Sequence, residues 1–184
     1  MSSNLQPTVP AKLADLITDT WFTFEGDIQI KAWDAPVIPE PDRTGAGGVN
    51  CKACDRSDDA FVWSNDKWRL HGYSPSQILG TVLLQTREHY DSFQDMPAEL
   101  LADLGSMTKR IEQAQYAALG NVGRVHVIKW GDGGEHFHLW FIPRPLGALQ
   151  LRGSMLPVWM DVMSDLPDED VQAAFVRIAA ALDS

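Results

Sequence analysis

Between Gly133 and Arg144 the chain reads GGEHFHLWFIPR, and this run constrains the fold more than any other. Alternate residues of a β-strand share a face, so Phe137, Leu139 and Phe141 are predicted to point one way and His136, His138 and Trp140 the other. Such a strand packs one face on a core and leaves the second for chemistry. The preceding run RVHVIKW alternates too, and GDGG between the two is turn-forming, so they are expected to pair antiparallel.

The rest of the chain supplies partners for that pair. GTVLLQT, from Gly80 to Thr86, is nearly continuously apolar and reads as a central strand buried on both faces. AFVW and WRLH flank SNDK and read as a hairpin. Asp95 is expected to cap a long helix with Pro97 in its first turn. Leu100, Leu104, Met107, Ile111, Ala114 and Ala118 then recur at helical spacing until Gly120 and Asn121 stop it. Val171, Phe175, Ile178 and Leu182 define a last amphipathic helix after Pro167, whereas LGALQLRGSMLPVW has no dominant period. Near the N-terminus, Leu13, Leu16 and Ile17 predict a short helix over 10–20, GDIQIKAW a short strand, and DAPVIPEPDRTGAGGVN an irregular covering loop. Hairpin strands with segregated helices predict an α+β domain on an antiparallel sheet.

A length of 184 residues suits one domain. No apolar run approaches the roughly 18 to 20 residues of a membrane span, and no signal peptide is apparent, so a cytoplasmic protein is expected. With 25 acidic against 15 basic residues the net charge is −10, and the basic residues are scattered. Nucleic-acid binding needs a basic stripe and is not expected, although a locally positive pocket could hold a small phosphate compound.

Both cysteines lie in CKAC, Cys51 and Cys54. That spacing fits a metal knuckle, a redox pair or two incidental thiols, and it is only half of a zinc site. A single buried histidine is most often structural, and His126 is read that way because its parity matches Ile128 and Trp130. For His71, in WRLHGY, strand parity does not decide whether it faces a pocket. Seven tryptophans could form a stacking surface, but core packing is the simpler reading for most of them.

The stretch HFHLWFIPR resembles the signature of the histidine triad family, which alternates His with hydrophobic residues and often closes in Pro-Arg. CKAC, the paired strands, GTVLLQT and REHYDSFQDMPAELLADL follow the family's order. The resemblance covers roughly 50–145, leaving an N-terminal extension, 1–49, and a C-terminal extension, 146–184. It implies an antiparallel sheet of about five strands with one long helix, and a homodimer paired through that helix and a sheet edge. It further implies a nucleotide-type substrate attacked at its α-phosphorus by His138, giving a covalent nucleotidyl-histidine that is hydrolysed or transferred. A non-catalytic nucleotide-binding protein is the alternative.

The zinc-binding branch of that family implies His89 and His136 as the ligands that complete Cys51 and Cys54. Two thiolates and two imidazoles close a tetrahedron, so the zinc would be structural. Trp140 stands where the common pattern has a third histidine and offers one N–H donor or a stacking face, and the transferase branch also lacks that histidine. Trp63, Trp68 and Trp130 are on strands that could line the family's apolar nucleoside pocket. The turn WGDGGEH is shorter than in many hydrolases of the family and lacks their polar Gln or Ser. Asp132, Gly133 and Gly134 form it, and the two glycine N–H groups could cradle a phosphate or belong to an ordinary hairpin turn. Lys129 and Arg144 are the nearest candidate cations for phosphate.

Overall fold

The computed structural model describes residues 22–25, 31, 32 and 34–184. The helix predicted over 10–20 lies outside the described residues. So does the strand predicted over 26–33, apart from Lys31 and Ala32, which are irregular.

Five antiparallel strands form the sheet: β1 (Trp63–Ser64), β2 (Trp68–Gly72), β3 (Val82–Thr86), β4 (Val122–Ile128) and β5 (His138–Pro145), in the order β1-β2-β3-β5-β4. Among the described residues four α-helices accompany it: α1 (Lys52–Asp55), α2 (Ala98–Leu119), α3 (Met155–Val162) and α4 (Asp168–Leu182). None is long and apolar enough to cross a membrane. The α+β antiparallel architecture expected from the sequence is therefore present. The segment predicted as a covering loop holds only a bridge at Thr44 and a short 3-10 turn, Ala46–Gly48.

AFVW shortens to a two-residue strand because Ala60 closes a 3-10 turn, Asp58–Ala60. The hairpin expected there forms because the Asn65 side-chain oxygen accepts from the backbone N–H groups of Lys67 (2.9 Å) and Trp68 (2.7 Å). Asp95 does not cap α2. Its carboxylate accepts from the N–H of Ser92 at 3.0 Å and from the Ser92 hydroxyl at 2.7 Å, closing its own 3-10 turn. The helix starts after Pro97, whose carbonyl accepts from Leu100 and Leu101, and it stops at Gly120, which takes a left-handed φ of 69°.

One sheet face carries Leu70, Leu84, Leu139 and Phe141 and packs on α2 through Met107 and Ile111 and on α4 through Val171, Phe175 and Ile178. These side chains are almost fully buried, each contributing on the order of 1.5–3 kcal/mol by transfer from water. Close contact at Gly72 binds α4 to the sheet: a Cβ there would lie 2.5 Å from Phe175 Cε2.

The opposite face is not free along its whole length, as the alternation of GGEHFHLWFIPR had implied. The segment with no sequence period folds into α3 and roofs it: Leu151, Leu156 and Met160 bury against Ile78 and Ile142, with Tyr73, Trp130 and Trp140 packed at the edge. The end of β5 that bears His138 lies outside this roofed cluster.

Candidate metal centre and active site

The two cysteines reach one point because α1 is a single helical turn. The N–H groups of Cys54 and Asp55 both bond the Cys51 carbonyl at 3.0 Å, which sets residues three apart on the same side. Gly45 wraps this knuckle at φ +82°, and a Cβ there would sit 3.3 Å from Cys51, so the loop needs glycine. His136 enters from the bend before β5, not from the strand itself, so it does not share a strand face with His138 as predicted. The chain turns there because the Phe137 N–H bonds the Tyr90 carbonyl. His89 arrives from the segment after β3.

The donor atoms of Cys51, Cys54, His89 and His136 all lie within 4.8 Å of one another. His136 Nδ1 is 3.3 Å from Cys51 Sγ and 3.5 Å from Cys54 Sγ, and His89 Nδ1 is 3.6 Å from Cys54 Sγ. Zinc with bonds of about 2.3 Å to sulfur and about 2.05 Å to nitrogen at tetrahedral angles separates S from N by about 3.5 Å. The spacing therefore fits a tetrahedral S2N2 ion. The Thr86 carbonyl accepts from His136 Nε2 at 2.9 Å, so the proton sits on Nε2 and the Nδ1 lone pair faces the sulfurs. Burial pushes the Cys54 thiol up to about 11, reinforced by Cys51, and lowers the His136 imidazole below its ordinary value. Adjacent sulfurs, one buried and one half-buried, both take charge only with a cation beside them.

His138 opens β5, half-buried, and its Nδ1 lies 2.8 Å from the His136 carbonyl. A carbonyl only accepts, so the neutral ring carries its proton on Nδ1 and keeps a lone pair on Nε2. Directly opposite on β3 stands Gln85, and opposite Gln85 on β2 stands Arg69, forming a row across three strands.

No family model matches the chain, and no curated protein matches it in sequence. Solved structures do. A zinc-bound histidine triad family protein from Mycobacterium smegmatis is 19% identical, with 72% of this chain covering 93% of that one at a TM-score of 0.53. A histidine triad protein from Sinorhizobium meliloti is 15% identical, with 66% of this chain covering 87% of that one at a TM-score of 0.56. A uridylyltransferase mutant is 16% identical, with 76% of this chain covering 49% of that one at a TM-score of 0.51. This chain has the histidine triad fold.

Within that fold the remaining candidate residues scatter. The Lys129 ammonium lies 5.7 Å over the Phe137 ring, away from the His138 face. Arg144 is six residues along β5 from His138, about 20 Å at strand rise. Its guanidinium donates to the carbonyls of Pro145 (3.0 Å) and Ala148 (3.3 Å). Neither cation is brought to His138. Trp140 shares the His138 face, but its indole N–H is buried without a partner among the described residues, and Tyr73 and Trp130 flank the ring. Gly133 and Gly134 pair with Thr44 through the Gly133 carbonyl and the Glu135 N–H, leaving the two glycine N–H groups outside that pairing. Asp132 lies in the field of Arg43. His126 is on the same face as Ile128, and Trp68 is wholly buried in the core. His71 stands on β2 with its ring edge-on to Phe61, and burial lowers its pKa.

Three positioning residues escaped the sequence reading. Arg43 clamps Asp91 in a bidentate pair (2.7 and 2.6 Å) and donates to the Gly131 carbonyl (2.8 Å), fixing the turn before His136. Arg69 donates to the Ala53 carbonyl inside CKAC at 2.9 Å and to Asp58, tying the knuckle to the sheet. Thr86 orients the His136 ring. Their partners lie up to 92 residues away, and no local pattern announces such contacts.

Proposed function

We propose that this protein belongs to the histidine triad family and is a zinc-stabilised nucleotidyl hydrolase or transferase with His138 as nucleophile. The observation that carries the reading is the bond from His138 Nδ1–H to the His136 carbonyl, which leaves Nε2 as a lone-pair donor at the unroofed end of the sheet. Nε2 attacks the α-phosphorus, an N–P bond forms, and the bond from phosphorus to the leaving group breaks. The leaving group departs with the electron pair and takes a proton. Water or an acceptor hydroxyl then attacks the same phosphorus, loses its proton and frees Nε2. Gln85 is placed across from His138 to donate an amide N–H to a phosphoryl oxygen, and the Gly133 and Gly134 N–H groups are candidates for the same task. Trp140 offers the substrate an aromatic face rather than its buried N–H.

Bound by Cys51, Cys54, His89 and His136, a zinc ion would supply structure only, since four protein ligands leave no open position. Free thiols suit a reducing compartment, and we place the protein in the cytoplasm. A homodimer through α2 and the outer edge of β4 accords with the family resemblance, and light scattering after gel filtration at twice the chain mass would support it.

The positions of Lys129 and Arg144 favour a second reading, a nucleotide-binding protein without turnover, because neither cation meets phosphate at His138. Incubation with adenylyl and other nucleotidyl donors separates the two. An acid-labile adduct on His138 by mass spectrometry, lost in His138→Ala with the fold kept, supports catalysis. Equal nucleotide binding by both proteins without product overturns it.

A further inference from the structure

The cavity between the sheet and the α3 roof has a composition that nucleotide chemistry does not explain. It is an open cleft of about 560 Å³, within the range of small-molecule sites. Its walls include three aromatic rings: Tyr73 and Trp140 with centroids 4.9 Å apart at 62°, and Trp130 and Trp140 5.6 Å apart at 63°. The rings pack edge-to-face on one another, and all three line the same space. Among the described residues the only charged ones that line the cavity are Asp161 and Asp165, both exposed. Gln77, also in the lining, donates an amide N–H to Asp165. Among the described residues no Lys, Arg or His lines the site, so its formal charge is negative and disfavours a phosphate or carboxylate.

We propose that this cavity binds an alkylammonium group, held by cation–π contact with Tyr73, Trp130 and Trp140 and by the carboxylates of Asp161 and Asp165. Aromatic rings within about 6 Å attract such a cation through their quadrupoles, and the two carboxylate charges draw it in. This site lies next to His138 along β5 but does not depend on its chemistry.

The test titrates choline and benzyltrimethylammonium into the full chain, following tryptophan fluorescence and heat, with 3,3-dimethylbutan-1-ol as the uncharged isostere of choline. Saturable binding is expected, about tenfold tighter for choline than for the alcohol. Asp161→Asn with Asp165→Asn, two exposed positions, should weaken choline about fivefold. His138→Ala should bind both cations unchanged, so failure of the catalytic reading leaves this result intact. No saturable binding by either cation, equal affinity for the alcohol, no effect of the double variant, or occupancy by guanosine in their place would overturn the proposal.

Discussion

Stripping the metal from the Cys51, Cys54, His89 and His136 cluster should cost a large share of the fold's stability. The four donors come from the CKAC turn at α1, the segment after β3 and the bend before β5, so one ion ties the turn outside the sheet to the adjoining ends of two paired strands. A ligand that binds only the folded state stabilises it by RT ln(1 + [L]/Kd), about 4.1 kcal/mol when free metal is a thousandfold above Kd. For a chain of this size each kcal/mol shifts Tm by about 2–4 °C, so zinc removal should lower Tm by about 8–16 °C. The assay is differential scanning calorimetry of protein as purified, after dialysis against a chelator, and after return of stoichiometric zinc. Zinc content is read in parallel by a colorimetric release assay. Cys54→Ser and His89→Ala should reproduce the chelated value without chelator. Protein with one zinc per chain whose Tm does not move on stripping would refute the reasoning, as would purified protein with no bound metal.

Gly72→Ala forces a Cβ to within 2.5 Å of Phe175 and should cost about 1–3 kcal/mol in urea unfolding, with Phe175→Leu recovering part of the loss in the double variant. Gln85→Leu should leave Tm nearly unchanged while lowering the rate of nucleotidyl transfer about tenfold, since only the donor opposite His138 is removed. Burial lowers His71 and His126 in the folded protein, so below about pH 6.5 the unfolded chain takes up protons that the folded one does not. Stability should therefore be full above pH 6.5 and fall as pH drops towards the folded-state values, a slope that His71→Gln and His126→Gln should flatten in chelator-free urea titrations.

The parts legible from sequence are those in which a local period meets a single environment. Phe137, Leu139 and Phe141 alternate because one sheet face buries them, and Val171, Phe175, Ile178 and Leu182 repeat because α4 buries one stripe. Met155–Val162 gave no period because it is apolar nearly all round: one side packs on Ile142 and another borders the aromatic cavity. Asp95 misled because its short side chain satisfies the nearest donors, the N–H and hydroxyl of Ser92 in the preceding turn. His136 misled for a related reason. Alternation assigns it to the strand, but a ring that must reach two sulfurs and the Thr86 carbonyl pulls the backbone into a bend. CxxC spacing left several chemistries open, and only the arrival of His89 and His136 at the same point narrows them.

That bend makes one residue serve two ends. The His136 side chain points Nδ1 at the sulfurs while its main-chain carbonyl holds Nδ1–H of His138, so the candidate metal site and the proposed nucleophile share one residue. A rotation that released the imidazole from the cluster would also swing the carbonyl and free His138 to change tautomer. Long-range nitrogen–proton correlation spectra report tautomers directly. With metal bound, His138 should show its proton on Nδ1 and His136 on Nε2. After stripping, His138 should average over both forms while the amide pattern of α2 and α4 persists. A fixed Nδ1–H form of His138 in the stripped, folded protein would show that the carbonyl holds its place without the ion, and the coupling between the two sites would fail.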